Sequence, residues 1–156
     1  MTDRQSKLDD LFRRADAQWE AGNLKAAFRL FLLAAKGGDY GCQVNLGNFY
    51  SDGIGVKPNR AKATYWYKRA YRHGCGAAAS NIACVYRDVQ KLKQALAWYE
   101  RAVKLRLDDA NLEIAKIFLK WNDKARAIRY LKRTLKAKDL AESSKDEALR
   151  LLKRLM

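Results

Sequence analysis

Few residues in this chain have the types and spacing that covalent or metal chemistry requires. The single histidine, His73, stands beside Gly74 at the end of an apolar-periodic stretch, a place where a helix dipole favours a cation. Cys75 and Cys84 lie close to it, but the three do not form paired CxxC motifs or another ligand pattern, so no metal is expected. Three cysteines in all, Cys42, Cys75 and Cys84, are an odd number in a chain without an apolar leader, which argues for reduced thiols. No nucleophile has a base and an orienting acid beside it. Gly53-Ile54-Gly55 lacks the preceding strand and the Lys-Ser/Thr ending of a phosphate loop and reads as a turn. The pairs Asp9-Asp10 and Asp108-Asp109 read as acids near helix starts. The expectation is a protein with no catalytic residues and no cofactor.

Charge is the stronger signal. The 156 residues carry 32 Lys and Arg against 17 Asp and Glu, a net charge of +15. Such an excess attracts polyanions or an acidic protein face over long range and says nothing about fold. Residues 57–73 hold six basic side chains and no acid, and residues 116–138 hold nine against Asp123 alone. No apolar run approaches the ~20 residues of a membrane span, and the polar start has no secretion-signal core, so a cytoplasmic protein is expected.

The elements that position these groups repeat. Ala27, Phe31 and Ala34 return as Ala63, Tyr67 and Ala70, as Ala95, Tyr99 and Ala102, and as Ala127, Leu131 and Thr134, at steps of 36, 32 and 32 residues. A period of this size marks a solenoid, whose units cannot bury their apolar faces alone and must stack. Periodicity at 3.6 residues predicts helices over 7–21, 24–36, 41–51, 60–73, 77–88, 91–106, 109–121, 123–137 and 144–155, and no segment alternates as a strand would. Gly22-Asn23, Gln90 and Asn122-Asp123 supply short turns, whereas the second pair has a longer one from Ser51 to Asn59, which explains the longer first step. Asn59 is expected to cap the next helix and Ser144-Lys145-Asp146-Glu147 to form a capping box for the last. The start, MTDRQSK, reads as frayed, and one domain spans the chain.

Leu46-Gly47-Asn48-Phe49-Tyr50, Gly53-Ile54-Gly55-Val56, Lys62-Ala63, Trp66-Tyr67, Ala70, Gly74 and Ala77 together resemble the Sel1-like repeat, a relative of the tetratricopeptide repeat with a longer turn. The other units look like ordinary or degenerate tetratricopeptide repeats, with Ala83 and Ala115 where Gly47 sits. The resemblance implies an all-α, right-handed α-solenoid with repeats at 7–37, 38–74, 75–106 and 107–138 and a capping helix at 143–156. It also implies a concave groove lined by the first helix of each pair and a role in holding a protein: an adaptor, a chaperone, a regulator or a toxin-neutralising immunity protein.

On that register the groove is expected to carry Asp9, Phe12, Asp16, Trp19 and Glu20, then Val44, Asn48, Ser51 and Asp52. Ser80, Cys84, Arg87 and Asp88 follow, then Leu112, Lys116, Leu119 and Lys120. It would run from acidic to basic, with Phe12 and Trp19 either as anchors for a partner or as packing against the next helix. Asn48 and Lys116 stand where the peptide-carboxylate clamp of chaperone-binding relatives has ligands, but Ser80 and Arg87 do not complete it. The second helices carry Arg69, Arg101 and Arg133 at one repeat position and Lys36, Arg72, Lys104 and Lys136 at another, while Arg126 and Arg129 share a face with Arg133 and Lys136. These basic ladders suit an acidic protein or a phosphate backbone, with a solvated surface as the plain alternative. Tyr65 and Tyr71 are the rings expected to be exposed among them.

Overall fold

The structure, a computed structural model, describes residues 3–156. The described residues form nine helices and no strand: α1 (Asp3–Glu20), α2 (Leu24–Lys36), α3 (Tyr40–Asp52), α4 (Arg60–Tyr71), α5 (Gly76–Asp88), α6 (Leu92–Lys104), α7 (Ala110–Lys120), α8 (Lys124–Lys136) and α9 (Glu142–Leu155). The chain divides into two compact units, Met1–Ala78 and Ala79–Met156. In the first, α1 packs on α2, α2 on α3 and α3 on α4; in the second, α6 packs on α7, α7 on α8 and α8 on α9. Within each unit these helices lean on their neighbours in sequence, as stacked hairpins do.

The repeated triplets are the reason. Ala27, Phe31 and Ala34 on α2, Ala63, Tyr67 and Ala70 on α4, Ala95, Tyr99 and Ala102 on α6, and Ala127, Leu131 and Thr134 on α8 are all buried. Residues at i, i+4 and i+7 share one helical face, and the small residues flanking each large one let the facing helix approach. In the first unit Ala27, Phe31 and Ala34 join Ala15, Leu46, Phe49 and Trp66 in one core, with Phe28, Tyr50, Ile54 and Val56 packed against it. In the second, Leu112, Ala115, Leu131, Ala148 and Leu152 form a core backed by Ile128, Tyr130 and Leu155.

Turn chemistry follows the same period. Gln90 and Asn122 adopt φ of 59° and 57° in equivalent turns, and Arg106 adopts 65° in the link before α7. Asparagine tolerates this left-handed conformation, but glutamine and arginine are strained in it. Gln90→Gly and Arg106→Gly are each expected to raise stability by about 0.5–1 kcal/mol, read as a higher urea midpoint; a lower midpoint would mean that the side chains contribute contacts not evident at these exposed positions. In the long turn, Gly53 ends α3 with φ 73° and its N–H bonds to the Phe49 carbonyl. A Cβ there would sit 2.5 Å from Pro58 Cγ, so both the backbone angle and the proline require glycine.

Three expectations change. Asp3 to Lys7 are helical, held by an Arg4 hydrogen bond to the Gly37 carbonyl (2.6 Å) and a Lys7–Asp3 pair (2.8 Å), so the frayed start does not extend to them; Met1 and Thr2 lie outside the described residues. Asp9 and Asp10 therefore sit inside α1 and not near its start. The Ser144 capping box does not form, because α9 begins at Glu142 behind Ala141, which offers no side-chain cap. Asn59 does cap α4, accepting from Lys62 N–H at 2.9 Å.

Candidate protein-binding surfaces

The side chains of α1 and α3 meet above Phe31 of α2 and leave a cavity of about 240 Å³ between them, lined by Asp16, Trp19, Phe31, Asn45, Asn48 and Phe49. Trp19, which lines this cavity, and Phe12, elsewhere on α1, leave 38% and 37% of their surface exposed, a large apolar area to leave in water. Each also touches the core. The Phe12 ring meets Phe31 edge-on at 6.1 Å, and the Trp19 ring meets Phe49 at 5.0 Å with 72° between planes. Each ring is therefore partly packed and partly accessible. Asn48 is oriented by Tyr67, whose hydroxyl donates to its Oδ1 at 2.8 Å. Asp52 lies exposed one turn further along α3, and Asp9 is half-buried with its carboxylate accepting from Gln5.

In the second unit the cations expected to line a groove are held by acids that the repeat pattern does not reveal. Arg87 Nη1 lies 2.8 Å from Glu113 and also donates to the Tyr99 hydroxyl at 3.2 Å, while Nη2 reaches Asp88 at 3.2 Å. Lys116 Nζ lies 2.9 Å from Glu113 and 3.0 Å from Glu147. Burial works against the Lys116 ammonium, but hydrogen bonds to Glu113 and Glu147 outweigh it and hold its pKa above the ordinary value. Lys120 is exposed. Leu112, expected in the groove, is instead 5% exposed and part of the core, because α7 buries most of its circumference. Cys84 lies 3.3 Å from the Tyr99 hydroxyl, whose pKa is raised by burial first and by that contact second. In the other unit, the buried Cys42 thiol is likewise pushed up, by burial and then by Asp39, which favours a packing thiol over a reactive one.

The basic positions show a pattern absent from the sequence reading. Arg69 lies over Trp66 (5.5 Å) and Tyr65 (5.9 Å), Arg101 over Trp98 (4.4 Å) and Arg133 over Tyr130 (4.9 Å). The same aromatic–x–x–Arg spacing thus recurs on α4, α6 and α8, and each guanidinium lies against a ring of its own helix. Arg126 rests on Phe118 at 4.4 Å and pairs with Asp123 at 2.6 Å. Lys36, Arg72, Lys104, Arg129 and Lys136 are exposed. Tyr65 is exposed as expected, but Tyr71 is half-buried.

Asp123 caps α8 through Arg126 N–H and also accepts from the Arg126 side chain, and these bonds hold its carboxyl below the ordinary 3.8. A depressed folded-state pKa contributes stability above the unfolded value that disappears as pH falls through the folded one. The melting difference between wild type and Asp123→Ala is therefore expected to be full at pH 7 and to shrink below about pH 4; a difference independent of pH would assign the effect to helix propensity instead.

Among the described residues no group of three or more His, Cys, Asp or Glu could hold a metal, and no helix is long and apolar enough to cross a membrane.

Similarity to known proteins accords with this geometry. The family model described as Sel1 repeat matches residues 17–39 and 41–75, and the tetratricopeptide repeat model matches residues 77–109. No curated protein matches the sequence. Among solved structures, a Sel1 repeat protein from Oxalobacter formigenes superposes with a TM-score of 0.75 at 23% identity, over 95% of this chain and 61% of that one. The protein c5321, a protective antigen present in uropathogenic Escherichia coli strains that displays an SLR fold, gives 0.79 at 16% identity over 97% of this chain and 35% of its own. MamA gives 0.66 at 18% identity over 97% and 91%. This chain therefore spans about three fifths of the first structure and about a third of the second. At these identities the likeness establishes the fold.

Proposed function

The chain carries Sel1 repeats followed by a tetratricopeptide repeat, and from that premise we propose that it is a non-enzymatic protein-binding module whose contact face in the unit Met1–Ala78 is the groove between α1 and α3. Repeats of both kinds form protein interaction surfaces. The observation that carries the choice of face is the pair Phe12 and Trp19, each more than a third exposed and seated on Phe31 and Phe49, with Trp19 lining an open cavity. Rigidly seated, half-exposed aromatic rings are the side chains that dominate interface energetics. With a net charge of +15, the favoured partner is a protein of acidic overall character, met stoichiometrically by an adaptor, chaperone or neutralising protein in the cytoplasm.

A second reading has one specific observation behind it. On α8, Arg129, Arg133 and Lys136 are exposed, with Arg133 resting on Tyr130, a surface that could follow a phosphate backbone. The two separate cleanly by variants and salt. Trp19→Ala is expected to weaken a protein partner captured from nuclease-treated native extract tenfold or more and to leave adsorption to DNA unchanged. Arg133→Glu with Lys136→Glu is expected to abolish DNA adsorption, itself steeply salt-dependent, and to leave the protein partner bound. Equal effects of both changes on one ligand would remove the division of faces.

A further inference from the structure

The cavity between α1 and α3 is apolar on its walls and negative at its polar end. Trp19, Phe31 and Phe49 supply the rings; Asp16, Asn45 and Asn48 supply the polar groups. Asn48 is committed to Tyr67. Asp16 is not committed: among the described residues no lysine or arginine pairs with it, and Arg13, one turn earlier, turns to Asp10 at 3.8 Å. The Asn45 side chain likewise has no hydrogen-bond partner among the described residues. Glu20 follows Asp16 by one turn and is also unpaired among the described residues, so the strip bordering the cavity is locally anionic.

A carboxylate set beside ring faces is a receptor for a cation, because the charge is neutralised by one group and the lost water is replaced by the other. Guanidinium suits the site better than ammonium: it is planar, weakly hydrated, stacks on rings and meets a carboxylate through two N–H donors. The volume of about 240 Å³ lies below the roughly 300–1,000 Å³ of small-molecule sites and matches a single side chain. Net positive charge opposes a densely basic ligand, but screening over about 8 Å at physiological salt leaves one inserted cation governed by its immediate neighbours. We propose that this pocket takes one arginine side chain of the protein partner, its guanidinium on Asp16 and against the Trp19 ring, from a segment otherwise neutral or acidic. The assignment rests on the α1/α3 groove being the protein-binding face.

The test uses the full chain and defined probes. N-acetylarginine amide, titrated into isotopically labelled protein, is expected to shift the Trp19 indole N–H and the Asn45 side-chain amide saturably in the millimolar range. N-acetylcitrulline amide, which has nearly the same shape without the charge, is expected to bind at least tenfold more weakly, and N-acetylglutamate amide not at all. Asp16→Asn, at an exposed position that leaves the amide spectrum otherwise unchanged, should weaken the arginine probe at least tenfold, with Asp16→Glu recovering part of the loss. Equal binding of citrulline and arginine, no saturable shift at Trp19, or indifference to Asp16→Asn would overturn the assignment. With the captured partner, loss of binding in Trp19→Ala but not in Asp16→Asn would overturn the arginine pocket and leave the groove intact. Retention by both variants would overturn the groove itself.

Discussion

Phe49→Ala is expected to lower the unfolding free energy by about 3–5 kcal/mol. The side chain is 1% exposed and its ring is the meeting point of three others, Trp19 at 5.0 Å, Phe28 at 5.7 Å and Phe31 at 5.8 Å. Truncation removes the transferred apolar surface and leaves a void that α1, α2 and α3 cannot close without losing ring contacts of their own. Urea unfolding followed by far-ultraviolet circular dichroism measures the loss. Phe12→Ala is the matched control, because a ring already 37% exposed gives up much less on truncation. If the two variants unfolded at the same denaturant concentration, the first unit would not be organised around Phe49. The same change would also remove the floor of the α1/α3 cavity, so a refolded Phe49→Ala protein should bind its partner poorly.

Gly47→Val is expected to cost about 3 kcal/mol, at the upper end of the usual penalty for overfilling a packed interior. Any Cβ at Gly47 would fall within the van der Waals envelope of the Tyr67 ring, which packs against the α3 backbone there. Tyr67 cannot retreat freely, since it is 2% exposed and its hydroxyl is tied to Asn48. Thermal unfolding reads the effect, and Gly47→Ala should fall between the two. At the equivalent places the third and fourth repeats carry Ala83 and Ala115, both fully buried, so a methyl group is accommodated there. Ala83→Gly should accordingly cost only about 1 kcal/mol, the backbone penalty of glycine in a helix. A neutral Gly47→Val would mean that α3 and α4 stand further apart than their contacts require.

Helices and core were legible because they depend on local periodicity. A small–large–small face at i, i+4 and i+7, repeated at a near-constant interval, has few ways to be buried, and all twelve of those positions on α2, α4, α6 and α8 are buried as the pattern requires. The Asn59 cap was legible for the same reason: an amide immediately before an apolar-periodic stretch has a backbone N–H within reach. The Ser144 hydroxyl stood at a comparable place, yet α9 starts earlier and Glu147 is drawn to Lys116, a residue on another helix whose position no local pattern encodes. Glu113 escaped notice because its main partner, Arg87, is 26 residues away and outside the repeat interval. Arg69, Arg101 and Arg133 were legible as a ladder but their ring partners Trp66, Trp98 and Tyr130 were not, because whether a guanidinium lies on its own helix or reaches outward is decided by rotamers. Leu112 was misplaced because the register alone does not say how deeply α7 is enclosed. At the proposed binding face, the sequence marked Phe12, Asp16, Trp19 and Asn48; the part played by Asn45 and Phe49 in closing the cavity came from the tertiary contact of α1 with α3.

The central assertion is that a protein partner sits on α1 and α3. Hydrogen–deuterium exchange of the full chain with and without its captured partner addresses it directly. The account expects added protection over residues 12–20 and 45–52, with residues 124–136 exchanging as they do in the free protein. Protection confined to 124–136, with 12–20 unchanged, would contradict it.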